Sequence, residues 1–291
     1  MYLLENPVLT YPWGSRTAIA ELTGNAPSDA PQAELWMGAH PKAPSRTAEG
    51  PLDRLITANP DYWLGPSVSH RFGEALPFLF KVLAAETPLS LQAHPNREQA
   101  IVGFEAEQAA GVPIDAPHRN YRDRNHKPEV ICALTPFEAL CGFRPLSEIR
   151  ELFDLLGVPG LTPFLEFLDD DSIAEPARVR LTFAELMNAP GDTRSDLVQA
   201  TLHAIAVCGD SSHLATSFRW AQRLGQLYPG DIGVIVSLLL NQVTLHPGEA
   251  LYLPAGQLHA YLEGVGIELM ANSDNVLRGG CTTSTWTYLS C

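Results

Sequence analysis

The chain has 291 residues, 45% of them hydrophobic and 18% charged, a globular composition rather than a disordered, fibrous or membrane one. Nineteen Lys and Arg against thirty-three Asp and Glu leave a net charge of −14, with no basic run to neutralise a string of phosphates. That balance argues against nucleic acid and anionic membrane surfaces as partners.

At roughly 150 residues per domain the length suits one large domain or two, big enough to fold without disulfide staples. A small anionic substrate is still allowed, because a few positive groups or a metal in a pocket outweigh a negative exterior locally. The five cysteines, Cys132, Cys141, Cys208, Cys281 and Cys291, are odd in number and show no C-x-x-C spacing, against a disulfide framework or a thiolate zinc knuckle. Glu5 and Pro7 stand where a signal peptide needs a positive end and an apolar run. The longest apolar stretch, Gly233 to Leu240, is too short to span a bilayer. The expectation is a reduced, cytoplasmic protein.

From Met1 to about Phe137, short apolar runs broken by Pro and Gly, such as Leu76 to Ala84 and Pro88 to Ala93, read as β-strands. One helix is expected among them, with Asn96 as N-cap, Gln99 at the capping-box position, and Gly111 and Pro113 ending the run from Ala100 to Ala110. Between about Pro145 and Asn241 the period becomes helical. Leu152, Leu155 and Leu156 mark one apolar stripe, Leu197, Ala200, Thr201, Ala204 and Ile205 a second, and Leu214, Phe218, Ala221 and Leu224 a third. After Asn241 strands return: Val243 to Leu245, Leu251 to Leu253, His259 to Leu262 and Gly266 to Met270, separated by Pro-Gly turns. This order predicts a mainly β protein, a jelly-roll β-barrel interrupted by a helical subdomain. Its expected parts are 1–144 and 242–280 for the barrel, 145–241 for the helices and 281–291 for a tail.

Three clusters carry chemistry. Gln92 and His94 are two apart, so on a strand both side chains share a face, as two ligands of one metal must; two hydrogen-bonded polar residues at a strand end would look the same. In the segment 125–130, NHKPEV, His126, Lys127 and Glu129 surround Pro128, which blocks helix and keeps the backbone extended. There His126 could shuttle protons, Lys127 could act as a base or hold an anion, and Glu129 could ligate a metal, although a charged turn needs none of these roles. The third cluster, HPGEALYLPAGQLHAYLEG, resembles the second half of the cupin barrel signature, whose histidine, here His259, points inward to a metal. Pooled, Gln92, His94, Glu129 and His259 offer nitrogen and oxygen ligands without thiolate, a set that suits Zn²⁺ and also allows Mn²⁺, Fe²⁺ or Co²⁺.

Read together, YPWGS (11–15), ELWMGAHPKAPS (34–45), PLSLQAHPN, NHKPE, GFRP (142–145), LPAGQLHAYLEG and NSDNVLRGG (272–280) closely resemble the type I mannose-6-phosphate isomerase family, in the family's order from the N-terminus to Gly280. The resemblance implies a zinc-dependent cupin enzyme that interconverts mannose 6-phosphate and fructose 6-phosphate, with one Zn²⁺ per chain and a role in glycolytic use of mannose or in GDP-mannose supply. It places the zinc ligands on Gln92, His94, Glu129 and His259 and the catalytic arginine on Arg278. Lys127, His126, Glu268 and Asp274 match positions lining the family's active site. Moving a proton between C2 and C1 through a cis-enediol needs a base, a proton carrier and positive charge at the enediolate; Lys127, His126 and Zn²⁺ with Arg278 are the expected suppliers.

After Gly280 the family continues with a Leu-Thr-x-Lys segment and a further C-terminal domain, whereas this chain reads CTTSTWTYLSC. Codons can be chosen for 281–291 whose neighbouring frame reads Leu-His-His-Lys-His-Val-Asp-Val-Pro-Glu-Leu, close to the family segment, so a frame shift is the expectation. With it comes the expectation that zinc binding survives while isomerase activity is reduced or absent. Two alternatives remain at this level: a metal-binding cupin that holds a sugar or sugar phosphate without turnover, and another cupin enzyme such as an iron oxygenase.

Overall fold

The computed structural model describes residues 1–208 and 213–281; the tail reading for 282–291 lies outside the described residues. Its strands are β1 (Val8–Leu9), β2 (Glu34–Met37), β3 (Arg46–Thr47), β4 (Gly50–Pro51), β5 (Phe78–Ala85), β6 (Leu91–Ala93), β7 (Glu129–Ala133), β8 (Phe137–Phe143), β9 (Leu240–Leu245), β10 (Ala250–Leu253), β11 (His259–Ala271) and β12 (Leu277–Gly280). Apart from the small β3–β4 ribbon, they form one antiparallel system in two halves joined by β11. One half runs β1-β2-β5-β11-β7-β10 and the other β12-β6-β11-β8-β9.

The sequence pattern suggests two strands where β11 is one. Its start, His259 to Glu263, pairs with β6 and β8, and its end, Gly264 to Ala271, with β5 and β7. The change of partners is absorbed by a register shift between Tyr261 and Glu263 and by Gly264, whose φ is +130°. A Cβ on Gly264 would lie 2.7 Å from the Pro136 carbonyl oxygen and 2.8 Å from the Phe137 Cα. Glycine therefore lets the strand bend between sheets without breaking.

Alternation along the strands sorts the second half into two faces. Gln92, His259, Tyr261 and Cys141 share one face, while Leu91, Ala93, Leu140, Ala260 and Leu262 share the other and are buried against the helical block. That block comprises helices Leu146–Leu156, Glu175–Met187, Gly191–Cys208, Ala215–Leu227 and Gly233–Ser237 with shorter turns between them. Each fully buried leucine in it, Leu152 and Leu186 among them, contributes roughly 1.5–3 kcal/mol. The stripes differ in detail from the sequence expectation. Leu155 is exposed and Ile149, Leu152, Phe153 and Leu156 face the core; Ala200 is exposed and Val198 replaces it. The third stripe, Leu214 to Leu224, is buried as expected.

The capping box at Asn96 is complete: Gln99 N donates to Asn96 Oδ1 at 2.8 Å and Asn96 N to Gln99 Oε1 at 3.0 Å, opening helix Arg97–Ala109. The expectation of a single helix before Phe137 is overturned by helices Ala18–Thr23, Leu52–Ala58, Pro60–Leu64 and Pro66–Phe72. Pro60 and Pro66 occupy the first turn of their helices, where a missing N–H costs nothing, and glycines follow the last residues. The punctuation that reads as strand breaks is here helix start and stop. The architecture is that of a cupin-type jelly-roll barrel with a helical subdomain packed on one sheet. No helix among the described residues is long and apolar enough to cross a membrane.

Candidate metal site and its cavity

The three sequence clusters converge at one end of the barrel because of strand register. His259, the first residue of β11, faces Gln92 of β6, and Gln92 in turn faces Arg278 of β12. Glu129, the first residue of β7, pairs with Leu253 and Met270. Beyond Leu253 the chain turns through Pro254-Ala255-Gly256 to reach His259, and Gly256 N donates to the His94 carbonyl at 2.7 Å. The double turn thus ties the second cluster of strands to the end of β6. Lys127 N donates to the Pro95 carbonyl, bringing the NHKPE segment alongside.

The Glu129 Oε2 atom lies 3.4 Å from both His94 Nε2 and His259 Nε2, and the Gln92 side-chain amide lies 3.5 Å from His259 Nε2. The ligand atoms of His94, Glu129 and His259 all fall within 4.8 Å of one another, and the three residues are buried. A tetrahedral ion with bonds of about 2.1 Å separates its ligand atoms by about 3.4 Å, so these edges fit such an ion closely. His94 Nε2 and Glu129 Oε2 have no hydrogen-bond partner among the described residues. Two orphaned polar atoms facing each other in a buried place are expensive unless a cation joins them. The Gln92 amide presents its nitrogen to His259; amide N and O occupy equivalent volumes, and a half-turn puts Oε1 in the ligand position.

Both imidazoles are oriented from behind. His94 donates Nδ1–H to the Asn275 carbonyl at 2.8 Å and His259 donates its Nδ1–H to the Gln257 carbonyl at 2.9 Å, leaving each Nε2 lone pair aimed at Glu129. Burial pushes the His94 imidazole down to about 4, so it is neutral at pH 7 and able to ligate. Burial by itself raises the Glu129 carboxyl, but the facing His94 and the Lys127 ammonium outweigh it and hold Glu129 well below the ordinary carboxylate range. Lys127 Nζ is 3.2 Å from the other carboxylate oxygen, Oε1.

A cavity of about 470 Å³ opens above this group, lined by Gln92, Glu129, Lys127, Glu268, Asp274 and Arg278. Six of the sequence-derived candidates beyond the imidazoles therefore meet there: Gln92, Glu129, Lys127, Glu268, Asp274 and Arg278. His126 does not. It is exposed and off the cavity, because Lys127 and Glu129 face inward along an extended segment and the intervening positions point the other way. The expectation that His126 carries protons within the site has no support in its placement.

The sequence reading also missed groups. Lys81 of β5 reaches Glu268 Oε2 at 2.6 Å and Glu34 Oε1 at 2.9 Å, and Trp36 Nε1 donates to Glu34 Oε2 at 2.7 Å, all buried. A lone lysine inside the apolar run LPFLFKVLA was the available signal, since a buried lysine requires partners. Burial pushes the Glu268 carboxyl up, and Lys81 acts against that shift. Arg122 also lines the cavity, and nothing in its local sequence separates it from neighbouring charged loop residues.

A family model for the phosphomannose isomerase type I catalytic domain matches residues 1–146. The mannose-6-phosphate isomerase of Escherichia coli is 46% identical over 290 residues, covering 97% of this chain and 71% of its own. The human protein of the same name is 38% identical over 306 residues, covering 97% of this chain and 70% of its own. Among solved structures, the Salmonella typhimurium mannose 6-phosphate isomerase bound to fructose 6-phosphate and zinc superposes with a TM-score of 0.87 at 43% identity, over 98% of this chain and 72% of that one. A zinc-bound mannose 6-phosphate isomerase superposes with a TM-score of 0.86 at 43% identity, over 98% of this chain and 71% of that one. The chain belongs to the type I phosphomannose isomerase family.

Proposed function

We propose that the chain is an aldose-ketose isomerase that interconverts D-mannose 6-phosphate and D-fructose 6-phosphate in a zinc-dependent site. The observation that carries this reading is the convergence of His94, Glu129 and His259 at tetrahedral spacing, with two orphaned buried atoms, on the wall of a cavity large enough for a hexose phosphate. Gln92 completes the proposed ligand set. Bound there, Zn²⁺ supplies Lewis-acid stabilisation of the negative charge that develops at O1 and O2.

The chain's own groups divide the remaining work. Arg278, one strand from Gln92 and facing the cavity, contributes fixed positive charge toward the enediolate. Burial and the neighbouring Arg122 pull its guanidinium down from its usual value, yet a guanidinium remains protonated at neutral pH. Lys127, beside Glu129 on the cavity wall, is the proposed base that moves the proton between C2 and C1. Glu268, held by Lys81, and Asp274, 3.6 Å from His40 Nε2 at the nearest oxygen, are proposed to orient sugar hydroxyls. A cytoplasmic setting is part of the proposal, supported by the free thiols of Cys132, Cys141, Cys208 and Cys281.

The test is a coupled assay of fructose 6-phosphate formation from mannose 6-phosphate, run with metal analysis of protein purified without added metal. Turnover with about one zinc per chain supports the reading. Bound zinc without turnover would favour a sugar-binding cupin, and bound iron a different enzyme.

A further inference from the structure

The GFRP motif (142–145) contributes no residue to the lining of the cavity. What it shapes is the end of β8. The β8–β9 register shifts between Leu140, which faces Gln242, and Phe143, which faces Leu240, so Cys141 and Gly142 together stand opposite Asn241 alone. Gly142 has φ +66°, in the left-handed region that glycine adopts freely, and the arrangement is a β-bulge. Asn241 clamps it: its Nδ2 lies 3.1 Å from the Cys141 carbonyl oxygen, 3.2 Å from that of Gly142 and 3.0 Å from that of Phe143. Arg144 fixes the approach to Asn241, its N donating to the Leu239 carbonyl at 2.8 Å and its Nε to the Leu238 carbonyl at 3.1 Å.

The bulge lies directly against the turn that orients His259. Cys141 is paired with His259 across β8 and β11, and Gly142 N donates to the Leu258 carbonyl at 2.9 Å. The paired register ends there, and Gln257 turns away with its carbonyl accepting His259 Nδ1–H at 2.9 Å. The other side of this turn is held by Gly256 N on the His94 carbonyl at 2.7 Å. A Cβ on Gly142 would stand 2.4 Å from Gln257 Nε2, so the Gln257 side chain lies over the bare Cα of the bulge. A straight β8 would go on pairing past His259 and draw Gln257 into the ladder. Ladder carbonyls lie in the plane of the sheet, whereas the His259 side chain stands off it, so the bond behind the imidazole needs the bulge.

We propose that Asn241 is a positioning residue of the metal site: by clamping the Gly142 bulge it holds the 256–258 turn where the Gln257 carbonyl aims His259 Nε2 at Glu129. The inference rests on the metal-binding reading above and extends it to a residue outside the cavity. A carbonyl behind a ligating imidazole fixes both its tautomer and its angle, so a displaced turn misaims the lone pair without touching any ligand atom.

Zinc affinity by chelator competition and the visible absorption of the Co²⁺-loaded protein, measured on the wild-type chain, Asn241→Ala, Asn241→Ser and Leu152→Ala, test this. Leu152→Ala opens the core of the helical block and reports what a loss of stability does by itself. Asn241→Ser removes the amide but keeps a small polar side chain, so one folded Asn241 variant suffices. Zinc binding about ten-fold or more weaker in the Asn241 variants, with shifted Co²⁺ bands, and both readouts unchanged in L152A, is the expected result. Affinity within about two-fold of wild type in a folded Asn241 variant, or a loss in L152A as large as theirs, overturns the proposal. Failure of both Asn241 variants to fold, or a wild-type chain that takes up no zinc, overturns it as well. Neither measurement needs turnover, so a chain that shows the expected pattern but does not isomerise counts against the isomerase reading alone.

Discussion

His94 donates its Nδ1–H to the main-chain carbonyl of Asn275 across 2.8 Å, and the side chain of the same asparagine ties down the loop that leads to Lys127 and Glu129. Asn275 Oδ1 accepts from Arg122 N and Asp123 N, and its Nδ2 donates to the Asp123 and Asn125 carbonyls at 2.9 Å each. One fully buried residue thus sets the orientation of one proposed ligand and the path of the segment carrying another. Replacing Asn275 with alanine is expected to lower zinc affinity about 10–100-fold, as loss of a group orienting a metal-bound histidine does. Chelator competition on the folded variant measures it; unchanged zinc affinity would falsify the positioning role.

Metal removal should be visible in stability. Zinc at about 100 times its dissociation constant adds about 2.7 kcal/mol to a fold that binds it only in the native state. Urea titrations of chelator-stripped and zinc-reloaded protein are expected to differ by roughly that amount. Glu129→Gln removes the carboxylate at the centre of the group and should erase the difference while leaving far-ultraviolet dichroism unchanged.

Lys81 illustrates the asymmetry of buried ion pairs. Lys81→Met leaves Glu34 and Glu268 charged and unpaired inside the barrel, an expected loss on the order of 3–5 kcal/mol. Adding Glu34→Gln and Glu268→Gln should recover much of it, because neutral amides cost less to bury than unpaired carboxylates. Equilibrium unfolding of the single and triple variants decides; equal stability would mean the lysine is not what keeps those carboxylates tolerable.

The bend in β11 depends on a position without a side chain. Gly264→Val forces a β-branched residue to φ near +130° and places its Cβ against backbone at Pro136 and Phe137. An expected loss of more than about 2 kcal/mol follows, with lower zinc occupancy because His259 and Glu268 lie on either side of the bend. Denaturant midpoints and metal content measure the two effects together.

Much of the site was legible in residue order because metal chemistry is local in sequence here. Gln92 and His94 share a face by strand alternation, Glu129 follows a proline that keeps its segment extended, and His259 follows a double turn. Arg278 came only from resemblance, since a single arginine on a short strand carries no signal of its own. Lys127 lines the cavity and its neighbour His126 is exposed outside it, because one residue of alternation separates a side chain in the cavity from one in solvent.

The sequence by itself determined which residues are candidate donors, the β-helical-β order and the capped helix at Asn96, because side-chain chemistry, hydrophobic period and capping are properties of neighbouring residues. Only the tertiary structure decided that β11 is a single bent strand, that Lys81 bridges Glu34 and Glu268, and that Arg122 lines the same cavity as Arg278. The physical reason is register: those relationships join residues tens to hundreds of positions apart, and they exist only once strand pairing and burial have chosen which faces meet.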